Sequence, residues 1–415
     1  GSIGMRRMWR RPESPGAPSG PHIAVFVENV SLAVDTRLRK QVSDLLGAGF
    51  RVSVVTRSDP DNGRYRTTPG LTVLEYPAPA DRAGVTGYVL EYLISFFWAA
   101  LLSLRLRLRG RIDVLQVCQP PDVYFPLCWV LRWLGARIVV DQRDLMPEVF
   151  AARYDHPRPA MMAALRWLER RSQRVADETL CVNGYLQDRL VGAGAAPDRV
   201  TVIRNGPVLE RIERAVPDPG LKGEHRFLVC WIGKMGRQDR VDLVIRVAEC
   251  LVREHGRTDC GFAVLGDGEC LDELRSLTAE LGLQQWVHFP GWLPEDHVFG
   301  YLASADLGID TSLQEEVSPV KAMEYMAHGL PVICFDLQET RRITAGAAVL
   351  VRPADTDALA KELLTLLDDP RARNRLGSVG RRRVREELSW ERQVVGYLAA
   401  IQRAAASDAR TTAHG

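Results

Sequence analysis

A chain of 415 residues exceeds what one hydrophobic core usually organises, so two domains are expected. Its 46% hydrophobic and 26% charged residues describe an ordinary globular protein, and a net charge of +2 is too small to argue for a nucleic-acid partner. The eight cysteines are scattered, several inside apolar strand-like runs, and no Cys-x-x-Cys occurs, which argues against a disulfide framework or a zinc site and for reduced core thiols in a cytosolic protein.

Residues 1–20 are expected to be a disordered tail or tag. Gly1-Ser2 reads as a remnant of expression, and the arginines from Arg6 to Arg11 lead into a Pro/Ser/Gly run, without the apolar core of a signal peptide. From residue 22 an apolar strand (22–28), a loop (29–36), a helix (37–46) and a second strand (51–56) set a strand–helix–strand rhythm, the pattern of a parallel sheet wrapped by helices. It continues with strands at 71–76, 114–118, 137–141, 179–182 and 200–203, and helices at 121–134 and 161–177 among others. The longest apolar run, 92–104, is too short to span a bilayer and ends where Leu104, Leu106 and Leu108 alternate with Arg105, Arg107 and Arg109. It reads as a helix packed within the first domain; the other reading is an amphipathic patch resting on an anionic membrane.

Turn formers bracket residues 205–220, and a fresh strand follows at 227–232, so the domain boundary is placed there. The expected organisation is a first domain over 21–208, a second over 209–388, a helix over 389–405 returning to the first domain, and a tail from 406 to 415. The second half repeats the rhythm, with strands at 227–232, 261–265, 287–290 and 307–310 and helices at 241–255, 271–281 and 296–304. Two doubly wound α/β domains of similar size should face each other across a cleft, where ligands bind in such folds.

One stretch of the second half carries chemistry, Glu316-Val-Ser-Pro-Val-Lys-Ala-Met-Glu324, closed by Gly329 and Pro331. Ser318 reads as an N-cap and Pro319 as the first helical position, so Glu316 lies in the loop before a helix and Glu324 about one turn inside it. Free backbone N–H groups and a positive dipole end suit an anion, and two carboxylates suit hydroxyls. A capped surface helix with two solvated glutamates is the plainer alternative.

The motifs together resemble the retaining GT-B glycosyltransferases that use nucleotide-diphosphate sugars, over nearly all of residues 21–403. The two glutamates separated by seven residues match that family's best-known signature. Asp35-Thr-Arg37, Pro120-Pro121-Asp122, Asp144-Leu-Met-Pro147-Glu148, Arg204-Asn205-Gly206, Gly266-Asp267-Gly268, Phe289-Pro-Gly291-Trp292 and Tyr325-Met-Ala-His-Gly329 follow in order. The subgroup with these motifs makes bacterial surface polysaccharides or glycoconjugates.

The resemblance implies that Glu316 holds the transferred sugar, that Glu324 binds the ribose hydroxyls, and that backbone amides around Ser318, Pro319, Val320 and Lys321 meet the pyrophosphate. It also implies a basic pair after the first strand of the second domain. Lys234 takes the first place; for the second, Arg240 fits the spacing, an alignment on Val241-Asp242 puts Asp239 there instead, and Arg237 is a third candidate. Lys234 and Arg240, with Glu316, are the expected catalytic residues, and Gly233, Arg237, Gly266 and Trp292 complete the donor-binding set. In the first domain, Arg143 and Asp144 stand where relatives often have His-Asp; with Asp35 and Arg37 they are candidates for sugar or acceptor contacts. The loop from Glu28 to Ala33 lacks the Gly-Gly that relatives often carry. No Asp-x-Asp metal site occurs at an equivalent place, so neither a metal nor another cofactor is expected.

The implied activity is transfer of a hexose or N-acetylhexosamine from a nucleotide sugar, a UDP-sugar favoured, to a hydroxyl acceptor that is lipid-linked or a small molecule. The implied location is cytoplasmic, with peripheral contact at the inner face of the plasma membrane. A catalytically inactive binding protein on the same scaffold is the rival reading. A dinucleotide-dependent enzyme is disfavoured, because no Gly-x-Gly-x-x-Gly follows the first strand.

Overall fold

The computed structural model describes residues 20–28, 30–77, 84–153 and 156–406. The expected tails, apart from Gly20 and Ala406, and Asn29 of the first-strand loop lie outside these residues. Contacts divide the chain into two compact units. One runs to Ile203 and resumes at Val394; the other is Arg204–Gln393.

The first unit holds a seven-stranded parallel sheet. Its strands are β1 (His22–Phe26), β2 (Arg51–Arg57), β3 (Leu71–Tyr76), β4 (Val114–Gln119), β5 (Arg137–Gln142), β6 (Glu178–Cys181) and β7 (Val200–Val202), in the order β3-β2-β1-β4-β5-β6-β7. The second unit holds six parallel strands, β8 (Phe227–Ile232), β9 (Cys260–Leu265), β10 (Val287–Gly291), β11 (Leu307–Asp310), β12 (Val332–Phe335) and β13 (Ala348–Val351), in the order β10-β9-β8-β11-β12-β13. Runs such as Cys260–Leu265 are apolar throughout and buried at every position, as strands covered by helices on both faces must be. Each sheet reverses its strand order beside its first strand, at β1/β4 and at β8/β11, and that reversal opens a crevice at the carboxyl ends of those strands.

The expected 121–134 helix begins only at Phe125, since Pro120 and Pro121 cannot supply the backbone N–H groups of a helix interior. The expected 241–255 helix is α-helical over Asp242–Glu249 and continues as a π turn over Cys250–Glu254. The Trp390–Ala406 helix packs on the first sheet, where the Tyr397 hydroxyl donates to Gln116 Oε1 at 2.6 Å and Arg403 pairs with Glu178 at 3.0 Å. Residues 204–208, expected with the first domain, lie against the second unit: Trp390 N–H donates to the Pro207 carbonyl, and Gly206 stands so close to the Leu388 carbonyl that a Cβ would meet it at 1.9 Å.

The apolar run of the first unit needs a correction. It belongs to a 26-residue helix, Gly84–Arg109, of which Val89–Arg109 has the length and the mean hydropathy (1.6) to cross a membrane. Its arginines do not end it: Arg107 and Arg109 stand in its last turn, where cations suit the helix dipole. One stripe, with Ala99, Leu102 and Leu106, packs on the sheet with Phe26, Leu115 and Val117. The opposite stripe, Leu93, Phe97, Leu101, Leu104 and Leu108, is exposed. The Phe125–Trp133 helix buries Leu127, Cys128 and Leu131 in the same cluster and leaves Trp129 and Trp133 exposed, Trp133 by 83%. Trp167, half exposed, packs edge-on against Phe125. The outer side of this helical layer is thus a broad apolar face.

Candidate donor site

In the second unit the loops after β8 and β9 are pressed backbone to backbone. Gly266, at φ +122°, lies so close that a Cβ would meet the Gly233 carbonyl oxygen at 1.8 Å, and Met235 N–H donates to the Asp267 carbonyl at 2.7 Å. Only glycine fits Gly266, and this fixes the path of the basic segment that begins at Gly233.

The Val320–Ala327 helix stands over the same crevice. Its anchor is Tyr325, fully buried, whose hydroxyl donates to the Ile309 carbonyl at 3.0 Å and accepts Ile232 N–H at 3.1 Å. The phenol therefore ties the helix to the last turns of both β8 and β11. Pro319, rather than Ser318, is the cap residue, and its own side chain makes no capping bond; Val320 N–H reaches the Ser318 carbonyl at 2.8 Å. Proline without a capping hydroxyl leaves the first-turn N–H groups to other partners.

Lys321, in the first turn, crosses to the opposite loop. Its ammonium lies 3.5 Å from Asp239 Oδ1, 3.9 Å from Asp310 Oδ1 and 5.0 Å from the centre of the buried Trp231 ring. Asp310 closes β11, and Asp239 also accepts Gly236 N–H at 3.1 Å. Asp239, Asp310, Ser318, Pro319 and Lys321 together line a cavity of about 30 Å³, room for roughly one water.

The other expected residues are distributed as follows. Lys234 and Arg237 are exposed. Arg240 was expected to face the diphosphate, yet its guanidinium is bidentate to Asp242 at 3.0 Å for both bonds, and its backbone is left-handed (φ 50°, ψ 43°). That ion pair raises its pKa, with desolvation opposing. Glu316 lies in the loop before the helix and Glu324 in its second turn, both half-buried. Trp292 is exposed just beyond β10, two strands from β8. His328 caps the helix C-terminus; burial pushes its pKa down, so the neutral ring is favoured there rather than a charge facing the dipole.

The first-unit candidates engage one another. Arg37 is bidentate to Asp141 at 2.8 and 3.0 Å and donates to the Ile203 carbonyl at 2.6 Å. Asp35 caps the Thr36–Gly47 helix through Leu38 N–H and pairs with Arg143, whose Nε is 3.5 Å from Asp141. Burial would raise the Asp141 pKa, but Arg37 and Arg143 outweigh it and hold the carboxyl below the ordinary range. Asp144 is exposed.

The burial of Glu28 and of Asp122 was not legible in the sequence. Glu28 follows β1, and burial, aided by Glu91, pushes its pKa up to about 8. Asp122 is pushed up to about 7 by burial, with a hydrogen bond from Gln142 opposing and Glu169 and Glu148 adding to the rise. The Pro-Pro-Asp motif was the one signal for Asp122; for Glu28 there was none beyond its place at a strand end.

Two family models tile most of the chain, a glycosyl transferase 4-like domain over residues 33–206 and glycosyl transferases group 1 over residues 226–369. The chain belongs to the GT-B glycosyltransferases. This GT-B enzyme is 24% identical over 372 residues to the alpha-D-kanosaminyltransferase of Streptomyces kanamyceticus, covering 82% of the chain and 91% of that protein. It is 40% identical over 137 residues to the MMP alpha-(1->4)-mannosyltransferase of Mycolicibacterium hassiacum, but that match covers 31% of the chain and a third (33%) of that protein. Among solved structures, sucrose-phosphate synthase from Thermosynechococcus elongatus shares the fold with a TM-score of 0.72 at 16% identity, over 92% of the chain and 99% of that protein.

Proposed function

We propose that this glycosyltransferase moves a hexose or N-acetylhexosamine from a nucleotide-diphosphate sugar, a UDP-sugar of the UDP-GlcNAc type first, to a hydroxyl acceptor with retention of anomeric configuration. The observation that carries the proposal is the helix start at Pro319–Val320, flanked by Glu316 and Glu324 and carrying the Lys321 ammonium at the strand-order reversal of the second sheet. Diphosphate binds at that terminus, Glu324 takes the ribose, and Glu316 takes the sugar being transferred. As the C1–O bond breaks, its electron pair stays with the diphosphate and the sugar becomes oxocarbenium-like. The acceptor hydroxyl bonds C1 from the same face and gives its proton to the leaving phosphate. Charge stabilisation by side-chain cations and the helix start does the catalytic work, with no metal required. Incubation with UDP-, GDP- and TDP-sugars, scoring diphosphate release with and without EDTA and the product's anomeric configuration by NMR, is the test. An inverted product or strict dependence on added manganese overturns the mechanism, and no release with any donor returns the inactive binding protein.

The acceptor is lipid-linked in this reading, in cell-envelope polysaccharide or glycoconjugate synthesis, with the first unit resting on the cytoplasmic face of the membrane. Support comes from the outer face of its helical layer, where Leu93, Phe97, Leu101, Trp129 and Trp133 are exposed and Arg105 and Arg109 lie alongside. Replacing Phe97, Trp129 and Trp133 by serine should abolish sedimentation with anionic vesicles, and unchanged sedimentation refutes the contact. Tailoring of a small natural product is the second reading, favoured by the likeness to the kanosaminyltransferase.

A further inference from the structure

We infer that Lys321, held by Asp239, is the cation that grips the donor's diphosphate in this chain, in the place where spacing alone would put Arg240; the inference rests on the donor-site reading above. The need is set by charge. A diphosphate entering the β8/β11 crevice meets two carboxylates, Asp239 and Asp310. Without a cation between them and the phosphate the crevice would repel its ligand. Lys321 supplies that cation from the helix whose start receives the diphosphate.

The other candidate cations have different settings. Arg240 turns its Nε and Nη2 to Asp242. Arg237 borders a separate cavity with Cys270 and Glu273. Lys234 stands exposed on the loop.

The way Lys321 is held also fits a ligand grip better than a structural pin. At 3.5 and 3.9 Å neither carboxylate contact is a direct hydrogen bond, whereas the buried arginine pairs of the first unit sit at 2.8 to 3.0 Å. An ammonium has three donors, so a phosphate oxygen can take one while the carboxylates keep it centred. The Trp231 ring at 5.0 Å fixes the third side. Gly233 completes the passage: a Cβ there would meet the Lys321 Cε at 3.3 Å. Asp239 is thus a positioning residue, which keeps the ammonium centred while the phosphate takes a free donor.

The test is calorimetric titration of the full chain with UDP, GDP and TDP and with the corresponding nucleosides, because the ratio of the two affinities isolates the phosphate contact. Lys321→Met should weaken the diphosphate by roughly tenfold or more and leave the nucleoside unchanged. Lys321→Arg should recover part of the loss, which also guards against a misfolded methionine variant. Asp239→Asn should tighten the diphosphate several-fold by removing repulsion, whereas a residue with only a structural role would lower thermal stability without moving the ratio. Arg240→Ala should change the ratio less than about twofold. A ratio lost in Arg240→Ala and kept in Lys321→Met overturns the inference while leaving the donor site standing. Failure of the unaltered chain to bind any diphosphate overturns the donor site and the inference with it.

Discussion

The two units use their charged side chains in opposite ways. In the first, Asp35, Arg37, Asp141 and Arg143 close on one another behind the strand ends, and Arg37 donates directly to Asp141 and to the Ile203 carbonyl in near-complete burial. In the second, Lys321 hangs between two carboxylates at distances beyond hydrogen bonding. A fully satisfied charge network specifies structure, because any new partner must first break it. A cation held at a distance retains donors for a ligand. Both clusters lie near a point of strand-order reversal, so topology alone does not tell them apart; the hydrogen-bond distances do.

That contrast can be broken most sharply at Arg37. Arg37→Ala leaves the buried Asp141 carboxylate without its main partner and should cost about 3–5 kcal/mol, read as a fall in the urea midpoint. A loss confined to catalysis would place Arg37 among ligand contacts after all.

Glu316→Ala should do the reverse, leaving the urea midpoint in place while turnover drops by about a hundredfold. Glu324→Ala should instead raise the donor KM about tenfold with a smaller change in kcat. Equal effects of the two variants on both constants would erase the division of labour between sugar and ribose.

A smaller effect follows from Glu28. In the unfolded chain its carboxyl titrates at the ordinary 4.5, and in the fold at about 8. The fold therefore opposes its ionisation, so the stability it contributes is complete below 4.5, declines as pH rises through the interval and is gone above about 8. Glu28→Gln should raise the melting temperature by a few degrees at pH 8 and hardly change it at pH 4; parallel pH profiles for the two proteins would show that the carboxyl is not buried as described. Least affected should be Arg240→Ala, whose partly exposed pair with Asp242 is worth under about 0.5 kcal/mol in the same urea measurement.

Much of the architecture was legible because strand-forming residues recur between helical stretches, and parallel strands buried on both faces have to be apolar runs. Element ends were less legible where two rules compete. Pro120-Pro121 lies inside an apolar pattern yet delays the helix to Phe125. The Leu/Arg alternation after Leu104 looks like a terminus, although the helix continues to Arg109. Around the candidate site, the placement of Glu316 before the Val320–Ala327 helix and of Glu324 within it was readable because it depends on local sequence. The setting of Lys321 was not, since it brings together Trp231 of β8, Asp239 of the loop that follows and Asp310 at the end of β11. The commitment of Arg240 to Asp242 was equally hidden, because it follows from a left-handed backbone at a non-glycine residue. Burial of Glu28 and Asp122 is a property of packing that no short window of sequence contains.

The Tyr325 phenol has a wider consequence. It fastens the Val320–Ala327 helix to Ile232 and Ile309, at the ends of β8 and β11. Residues 312–317, running from the strand end to the helix, are not so fastened by it. Under the proposed function, residues 312–317 would border the sugar, the part in which donors differ, and the fastened helix the diphosphate, the part they share.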